Sequence, residues 1–239
     1  MDSRPAPGGG DLEADGAEPT KDTARPLSDA LGMYVLHGAP GSGAAIIEFA
    51  LAELGLGYRY MLVSLRDEAQ RDEAYAELNP HRKVPTLITP DGETLTESAA
   101  ILLTLEERHP GSELLPPAGS QERAQALRLL LFAATELYPI IEIVDYPERF
   151  GPEAVKEAIK ARALETWRGR WLLVESKLES GPFLFGDQLS IVDLYLAVLS
   201  RWDLRPEDRE ALPRVVALSR AVAERPALRE LWLRNFPAK

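Results

Sequence analysis

A proline at the mouth of a short apolar run constrains the fold of this chain more than any other feature. The run is 86–88, and Val84 and Pro85 come directly before it. Proline has no backbone N–H, so we expect it where a strand begins and where it removes no bond from the sheet. An X-Pro bond at such a turn is also a candidate for the cis isomer. The sequence therefore predicts a turn, a cis proline and then a strand.

The residues after this strand predict a hairpin and then a helix. An Asp-Gly pair at 91–92 is a tight-turn signal. Glu97 and Ser98 come next, directly before an apolar-periodic run that predicts a helix over 99–109. A helix start has unpaired backbone N–H groups, which suit a carboxylate. Together with an exposed backbone at Val84 it suits an extended, peptide-like ligand, and a plain hairpin with a helix cap is the structural alternative.

A glycine-containing loop is expected between a first strand over 33–37 and a helix that begins at Ala44. A second strand is expected over 58–63, and this β-loop-α-β order predicts the start of a thioredoxin-like α/β unit. The loop has the spacing of a phosphate-binding loop. Alanines stand where that motif needs Lys and then Ser or Thr, so the sequence argues against nucleotide binding.

Ser42 is the candidate hydroxyl in this loop. A helix N-terminus stabilises an anion, and a hydroxyl beside it donates to that anion. For a bound thiol the consequence is a lower thiol pKa and more thiolate at neutral pH. The structural alternative is that Ser42 only caps the helix, which contributes about 1 kcal/mol to stability.

Composition limits the chemistry and the partners of the chain. There is no cysteine, so disulfides and a protein thiol nucleophile are excluded, and any sulfur chemistry needs a bound thiol. The net charge of -11 argues against a nucleic-acid partner or an anionic membrane. The three histidines lack the spacing of metal ligands, so we predict no metal site. No run predicts a transmembrane helix or a signal peptide, which favours a cytoplasmic protein.

The chain divides into a tail, two domains and a linker. Residues 1–30 are rich in Pro, Gly, Ala and Asp and predict a disordered acidic tail. We expect an α/β domain over 31–110, a turn-rich linker over 111–120 and an all-helical domain over 121–239.

Within these domains the periodicity predicts several long helices. We expect one charged helix over 65–78 and one long helix over 121–144 with a kink at Pro139. Further helices are expected over 152–180, 212–223 and 226–235. Ser190 and Asp193 have the spacing of a capping box, in its acidic variant, before another apolar run.

The motif N-P-x-x-K-V-P-T-L, followed by L-T-E-S-x-A-I, resembles the glutathione-binding signature of cytosolic glutathione transferases, and the resemblance extends from Met33 to near the C-terminus. It implies a thioredoxin-like N-terminal domain with a mixed four-stranded sheet, followed by an all-helical domain. It also implies that Val84, before the cis Pro85, pairs with the cysteinyl backbone of glutathione. Glu97 and Ser98 then hold the γ-glutamyl end.

The resemblance extends to the remaining site residues. Ser42 matches the P-G-S loop of insect-type transferases, in which the serine activates the thiol. The cysteine of the bacterial cysteine-using type falls on Gly43. Lys83 is a candidate for the glycine carboxylate of glutathione, and a solvated lysine is the alternative. Tyr138 lies in a segment that resembles one facing the thiol site in bacterial members, and an amphipathic core tyrosine is the alternative.

These features together predict a glutathione S-transferase that adds the glutathione thiolate to a small hydrophobic electrophile, as in detoxification. The alternative is a non-catalytic module of the same fold that binds a protein partner. Glutathione-dependent ether cleavage or dehalogenation differs only in the electrophile. The resemblance also implies a homodimer. The predicted catalytic residues are Ser42 and Tyr138, and the predicted glutathione-binding residues are Lys83, Val84, Pro85, Glu97 and Ser98.

Overall fold

A computed structural model of the chain describes residues 32–178, 181–202, 204 and 206–237. The tail predicted over 1–30 lies outside these residues, so its disorder stays a prediction. Within the described part of the chain, no helix combines the length and the apolar character needed to span a bilayer.

The first part of the chain forms a mixed four-stranded sheet. Its strands are β1 (Tyr34–Gly38), β2 (Tyr58–Leu62), β3 (Thr86–Ile88) and β4 (Thr94–Leu95), in the order β2-β1-β3-β4. Strands β1 and β2 are parallel, whereas β3 is antiparallel to both of its neighbours. A parallel pair needs a crossover connection, and helix α1 (Ala44–Glu53) provides it. The predicted thioredoxin-like order is confirmed.

Helix α1 lies at the centre of the molecule. Its first eight residues are all buried, because it packs against β1, against α3 (Ser98–Arg108) and against α7 (Ile191–Leu199). A helix that is apolar on every side is expected where it is covered on every side. The buried side chains form one continuous core through the sheet and the helices, and Phe49 and Tyr195 are among its largest members.

The second part of the chain is helical. Its first helices are α4 (Gln121–Phe132), α5 (Tyr138–Asp145) and α6 (Lys156–Glu175). After α7 the chain continues with α8 (Pro206–Glu210), α9 (Pro213–Ala223) and α10 (Arg229–Asn235). The sequence predicted α9 and α10 but not the short α8.

The single helix predicted over 121–144 is two helices. A π-helical turn, Ala133–Leu137, separates α4 from α5. Pro139 has no N–H for the carbonyl four residues before it, so the preceding turn widens. The kink therefore lies one turn before the proline.

The helix predicted over 65–78 is also shorter than expected. Only a 3₁₀ turn, Ala69–Arg71, and α2 (Glu73–Leu78) form there. The Ser64 hydroxyl donates to the Asp67 carboxylate at 2.6 Å and accepts from the Asp67 N–H at 3.3 Å. Local side-chain bonds of this kind compete with a helix.

The capping box at the start of α7 is confirmed. The Asp193 carboxylate accepts hydrogen bonds from the Ser190 N–H at 2.7 Å and from the Ser190 hydroxyl at 2.6 Å. It also accepts from the Leu184 N–H at 2.7 Å. The box therefore fixes both the start of α7 and the loop before it.

Candidate functional site

The backbone of Val84 is unpaired. The Val84–Pro85 peptide bond is cis, as predicted, and β3 begins only at Thr86. No residue in the described part of the chain forms a hydrogen bond with the Val84 N–H or C=O. Both groups are therefore available to an extended ligand that pairs with the backbone.

Two side chains hold the backbone on either side of Val84. The Asn79 amide donates to the Lys83 C=O at 2.7 Å, and the Tyr75 hydroxyl donates to the same oxygen at 2.9 Å. The Tyr75 hydroxyl also lies 2.9 Å from the Thr86 hydroxyl. Sequence reasoning missed both side chains, although Asn79 opens the N-P-x-x-K-V-P motif.

Glu97 and the start of α3 offer both signs of charge. The Glu97 side chain is 73% exposed, and its carboxylate lies 3.8 Å from the His81 ring. Its backbone has φ 64°, a sparsely populated conformation for a residue other than glycine, which costs about 1–3 kcal/mol. The first N–H groups of a helix have no partner within it. This corner therefore suits a ligand that carries an ammonium and a carboxylate on neighbouring atoms.

The Ser98 hydroxyl is buried and lies 2.9 Å from the Tyr195 hydroxyl of α7. A ligand at the start of α3 would therefore contact a hydroxyl pair that joins the two parts of the chain.

Ser42 uses its proton within its own loop. Its hydroxyl donates to the Ala39 C=O at 2.6 Å and accepts from the Ala44 N–H at 3.2 Å. The structural alternative, in which Ser42 is the helix cap, is wrong in position, because the N-cap residue of α1 is Gly43 and no side chain caps this helix start. The Ser42 hydroxyl instead stabilises the turn before α1. Its role on a bound thiol stays a prediction and requires the hydroxyl to leave the Ala39 carbonyl.

The Tyr138 hydroxyl lies at the start of α1. A Cβ added to Gly43 would overlap this hydroxyl, so the phenol fills the space beside the helix start. Burial raises the pKa of Tyr138 to about 12, and the Glu97 carboxylate acts in the same direction. The phenol is therefore protonated at neutral pH and is a hydrogen-bond donor. No acceptor in the described part of the chain takes its proton at hydrogen-bonding distance and geometry.

Two tyrosines connect the starts of α1 and α3. The rings of Tyr138 and Tyr195 meet edge to face with 6.3 Å between their centroids. Tyr138 reaches Gly43 at one end, and Tyr195 reaches Ser98 at the other. The structure thus places the predicted residues Tyr138, Glu97 and Ser98 at one junction of the sheet and the helices, which we call the cleft.

Lys83 reaches across this cleft to the helical part. Its ammonium lies 2.8 Å from the Glu142 carboxylate of α5, which also pairs with Arg149 at 3.1 Å. The hydrogen bond from Lys83 is the main reason that the pKa of Glu142 is lowered. The Lys83 side chain is 65% exposed, and such pairs contribute at most about 1 kcal/mol. An incoming carboxylate can therefore compete for Lys83.

The loop before α1 is held from the helical part by what we call the Gly41 clamp, formed by Trp202 and Asn235. The Gly41 N–H donates to the Asn235 side-chain oxygen at 3.0 Å, and the Gly41 C=O accepts from the Trp202 indole at 2.8 Å. Gly41 has φ 74°, which glycine adopts without steric cost. Sequence reasoning missed the clamp.

A buried carboxylate supports the clamp. Glu48 of α1 is fully buried and accepts from the Asn235 amide at 2.9 Å and from the Tyr58 hydroxyl at 3.0 Å. Arg234 forms an ion pair with it. A buried charge of this kind needs a complete set of partners. Helix α10 therefore fixes both the loop and the helix that follows it.

Comparisons with known proteins agree with this architecture. Residues 36–113 match the family model of the glutathione S-transferase N-terminal domain, and residues 143–234 match that of the C-terminal domain. The GST-like protein YncG of Escherichia coli (strain K12) is 35% identical over 85% of this chain and 98% of its own length.

Other relatives are named for different reactions. A maleylacetoacetate isomerase of Dictyostelium discoideum is 32% identical over 63% of this chain and 69% of its own length. The disulfide-bond oxidoreductase YfcG of Escherichia coli (strain K12) is 27% identical over 84% of this chain and 95% of its own length.

Solved structures show the same fold. A glutathione transferase from Methylococcus capsulatus is 30% identical, with a TM-score of 0.70 over 83% of this chain and 96% of its own. A homologue from Sulfitobacter, solved with bound glutathione, is 24% identical, with a TM-score of 0.77 over 84% of this chain and 97% of its own.

Proposed function

Because the chain belongs to the glutathione S-transferase family, we propose that its cleft binds glutathione and directs the glutathione thiolate at a small apolar electrophile. The observation that carries the proposal is the Tyr138 hydroxyl at the start of α1, in one cleft with the start of α3. A protonated phenol beside a helix N-terminus favours a thiolate at that point.

The binding residues match the three parts of glutathione. The unpaired N–H and C=O of Val84 suit the cysteinyl backbone, and the buried Pro85 fixes where they lie. The Glu97 carboxylate suits the ammonium of the γ-glutamyl group, and the N–H groups at Ser98 suit its carboxylate. Lys83 suits the glycine carboxylate in exchange for Glu142.

When bound, glutathione supplies the thiolate nucleophile, which this cysteine-free chain does not contain. Tyr138 donates a hydrogen bond at the sulfur position, and the N-terminus of α1 adds its positive field. Ser42 is the second proposed donor, as in the serine-type loop. Tyr138 and Trp202 pack with 5.1 Å between ring centroids, and these aromatic faces favour an apolar electrophile.

The absence of cysteine excludes one route of disulfide exchange. A disulfide exchange that passes through a bond between glutathione and the protein has no protein sulfur to use. Addition of a thiolate to an activated double bond needs only the bound thiol. The same addition is the first step of a glutathione-dependent isomerisation, in which the thiolate leaves again. A panel of electrophiles that includes activated alkenes separates transfer from isomerisation.

We further propose that a second copy of the chain covers part of the helical surface. Leu131, Leu172 and Leu173 are 54%, 51% and 56% exposed. Exposed leucines on neighbouring helices favour an interface between protomers. Sedimentation equilibrium tests the homodimer, and a monomer at micromolar concentration would refute it.

The first test is calorimetric titration of the protein with glutathione. We expect saturable binding, weakened about tenfold by Ser98→Ala, since a lost hydrogen bond to a charged group is worth about 1.5–3 kcal/mol. Thr104→Ala is the matched control, because Thr104 lies on the exposed side of α3 and donates only to the Ala100 carbonyl.

The outcome separates the two functional classes. Binding with turnover of an electrophile such as 1-chloro-2,4-dinitrobenzene supports the enzyme. Absence of binding at millimolar glutathione would reject it and favour the partner-binding module.

A further inference from the structure

A second cavity lies in the helical part of the molecule, away from the glutathione cleft. Its volume is about 260 Å³, and residues at the end of α7 and on α9 and α10 line it. None of the residues assigned to the cleft is among its lining residues.

Arg201 places an unpaired guanidinium in this cavity. Its Nε atom is buried and has no hydrogen-bond partner in the described part of the chain. The guanidinium carbon lies 5.9 Å from the ring centroid of Trp232 and 5.6 Å from that of Phe236. A buried polar group is normally hydrogen-bonded, and none of the described residues accepts from this donor, so it is available to an acceptor that enters the cavity.

A second guanidinium points to the charge of that acceptor. Arg209 also lines the cavity, and its Nε donates to the Leu204 C=O at 3.1 Å. Burial and the charge of Arg209 lower the pKa of Arg201. A third lining arginine, Arg220, pairs with Glu224. No carboxylate is found among the described lining residues, so none of them balances Arg201 and Arg209.

The remaining walls are apolar, with a few hydroxyls. Val215, Ala223 and Trp232 supply apolar surface, and the buried Ser219 adds a hydroxyl to the lining. A hydrated inorganic ion would leave these walls unused. An anion with an apolar body satisfies both the guanidinium groups and the walls.

We propose that this cavity binds a small organic anion, a carboxylate or sulfonate on an aromatic or short aliphatic body. Arg201 and Arg209 bind the charged group, and the apolar walls with Trp232 contact the body. The cavity is distinct from the proposed glutathione site, because the two share no residue.

The test is calorimetric titration with phenylacetate, which is a carboxylate on an aromatic body. Saturating glutathione is present, so that the proposed glutathione positions in the cleft are occupied, and the cavity variants below separate binding in the cavity from binding at the electrophile position. We expect saturable binding that Arg201→Gln weakens about tenfold or more, because it removes a charge-assisted hydrogen bond. The neutral phenylacetamide is expected to bind about tenfold more weakly than phenylacetate.

A matched control and a second variant keep the test decisive. Arg229→Gln makes the same charge change at the start of α10, outside the cavity lining, and is expected to leave phenylacetate binding unchanged. Val216→Phe fills the mouth of the cavity, since Val216 is 38% exposed, and is expected to abolish binding in a folded protein. It replaces Arg201→Gln if that variant does not fold.

Three results would overturn the proposal. They are equal binding of phenylacetamide, unchanged binding by both cavity variants, and no saturable binding of phenylacetate up to about 10 mM. Phenylacetate binding can also be measured without glutathione. A negative result in that titration would reject the cavity proposal and would say nothing about the proposed enzyme function.

Discussion

At the scale of single residues, Tyr138 and Ser42 differ in where their protons go. The Ser42 proton is donated to the Ala39 carbonyl, whereas no described acceptor takes the Tyr138 proton. A hydroxyl that is already donated must break a bond before it can serve a thiolate. Tyr138 is therefore the stronger of the two donors proposed for the sulfur.

Replacing Tyr138 by Phe removes that donor and keeps the ring. We expect the pKa of the bound glutathione thiol to rise by about one unit, because a charge-assisted hydrogen bond is worth about 1.5–3 kcal/mol. Tyr138 itself stays protonated below pH 12, so the acid limb of the pH profile of kcat/KM reports the thiol. Turnover at neutral pH falls about tenfold, while glutathione affinity changes little.

Ser42→Ala is the comparison for this variant. We expect it to lower the free energy of unfolding by about 1 kcal/mol and to shift the thiol pKa less than Tyr138→Phe does. A pH profile unchanged in Tyr138→Phe but shifted in Ser42→Ala would reverse the assignment.

A second prediction at this scale concerns the pair between Lys83 and Glu142. Glu142→Gln removes the carboxylate that competes for Lys83, so we expect glutathione to bind up to about fivefold more tightly at low salt. The gain should shrink as salt is added, because exposed pairs are screened. Glu136→Gln on the π-helical turn is the control, since Glu136 pairs with Arg170 instead. Weaker binding in Glu142→Gln would contradict the competition.

At the scale of elements, local chemistry explains which helices and strands the sequence predicted well. The hairpin, the cis proline and the capping box each depend on residues within a few positions of one another. The helices over 65–78 and 121–144 were wrong in extent for a related reason. The spacing of apolar residues does not predict the turn between Ser64 and Asp67, and it does not predict the effect of Pro139 on the helical turn before it.

The capping box gives a prediction of stability. Asp193→Ala leaves the buried N–H of Ser190 and the N–H of Leu184 without acceptors. We therefore expect the free energy of unfolding, measured by urea denaturation, to fall by about 2–4 kcal/mol. Ser120→Ala removes the partly exposed cap of α4, which accepts from the Arg123 N–H, and should cost about 1 kcal/mol. An equal fall in the free energy of unfolding in the two variants would show that the buried capping box stabilises the protein no more than an ordinary helix cap.

At the scale of the whole molecule, the cleft is assembled from distant parts of the chain. Trp202 and Gly41 are 161 positions apart, Asn235 and Gly41 are 194, and Tyr195 and Ser98 are 97. The sequence around each of these partners does not distinguish it from an ordinary residue within a helix or at its end. Local patterns therefore led to the candidate residues on the sheet, and only the family resemblance led to Tyr138; the roles of all of them stay predictions.

Asn235→Ala tests the Gly41 clamp. It leaves the Gly41 N–H unpaired and removes one donor from the buried Glu48, so we expect faster amide hydrogen exchange in the loop before α1. It should also lower kcat more than it raises KM for glutathione, since Val84 and Ser98 are unchanged. Glu230→Ala, in the first turn of the same helix, is the control. Unaltered exchange and turnover would show that the loop keeps its shape without Asn235.

The burial of α1 has a consequence for the order in which the ribosome makes this protein. A nascent chain that has reached only the sheet carries an apolar helix whose cover, α7, has not been synthesised, and a Glu48 whose partners on α10 come last. Such a chain exposes the side of α1 that α7 covers in the finished protein, and it is a natural client for a holding chaperone. The cleft can reach its working shape only after the final helix has emerged, so unfinished chains are expected to be catalytically silent.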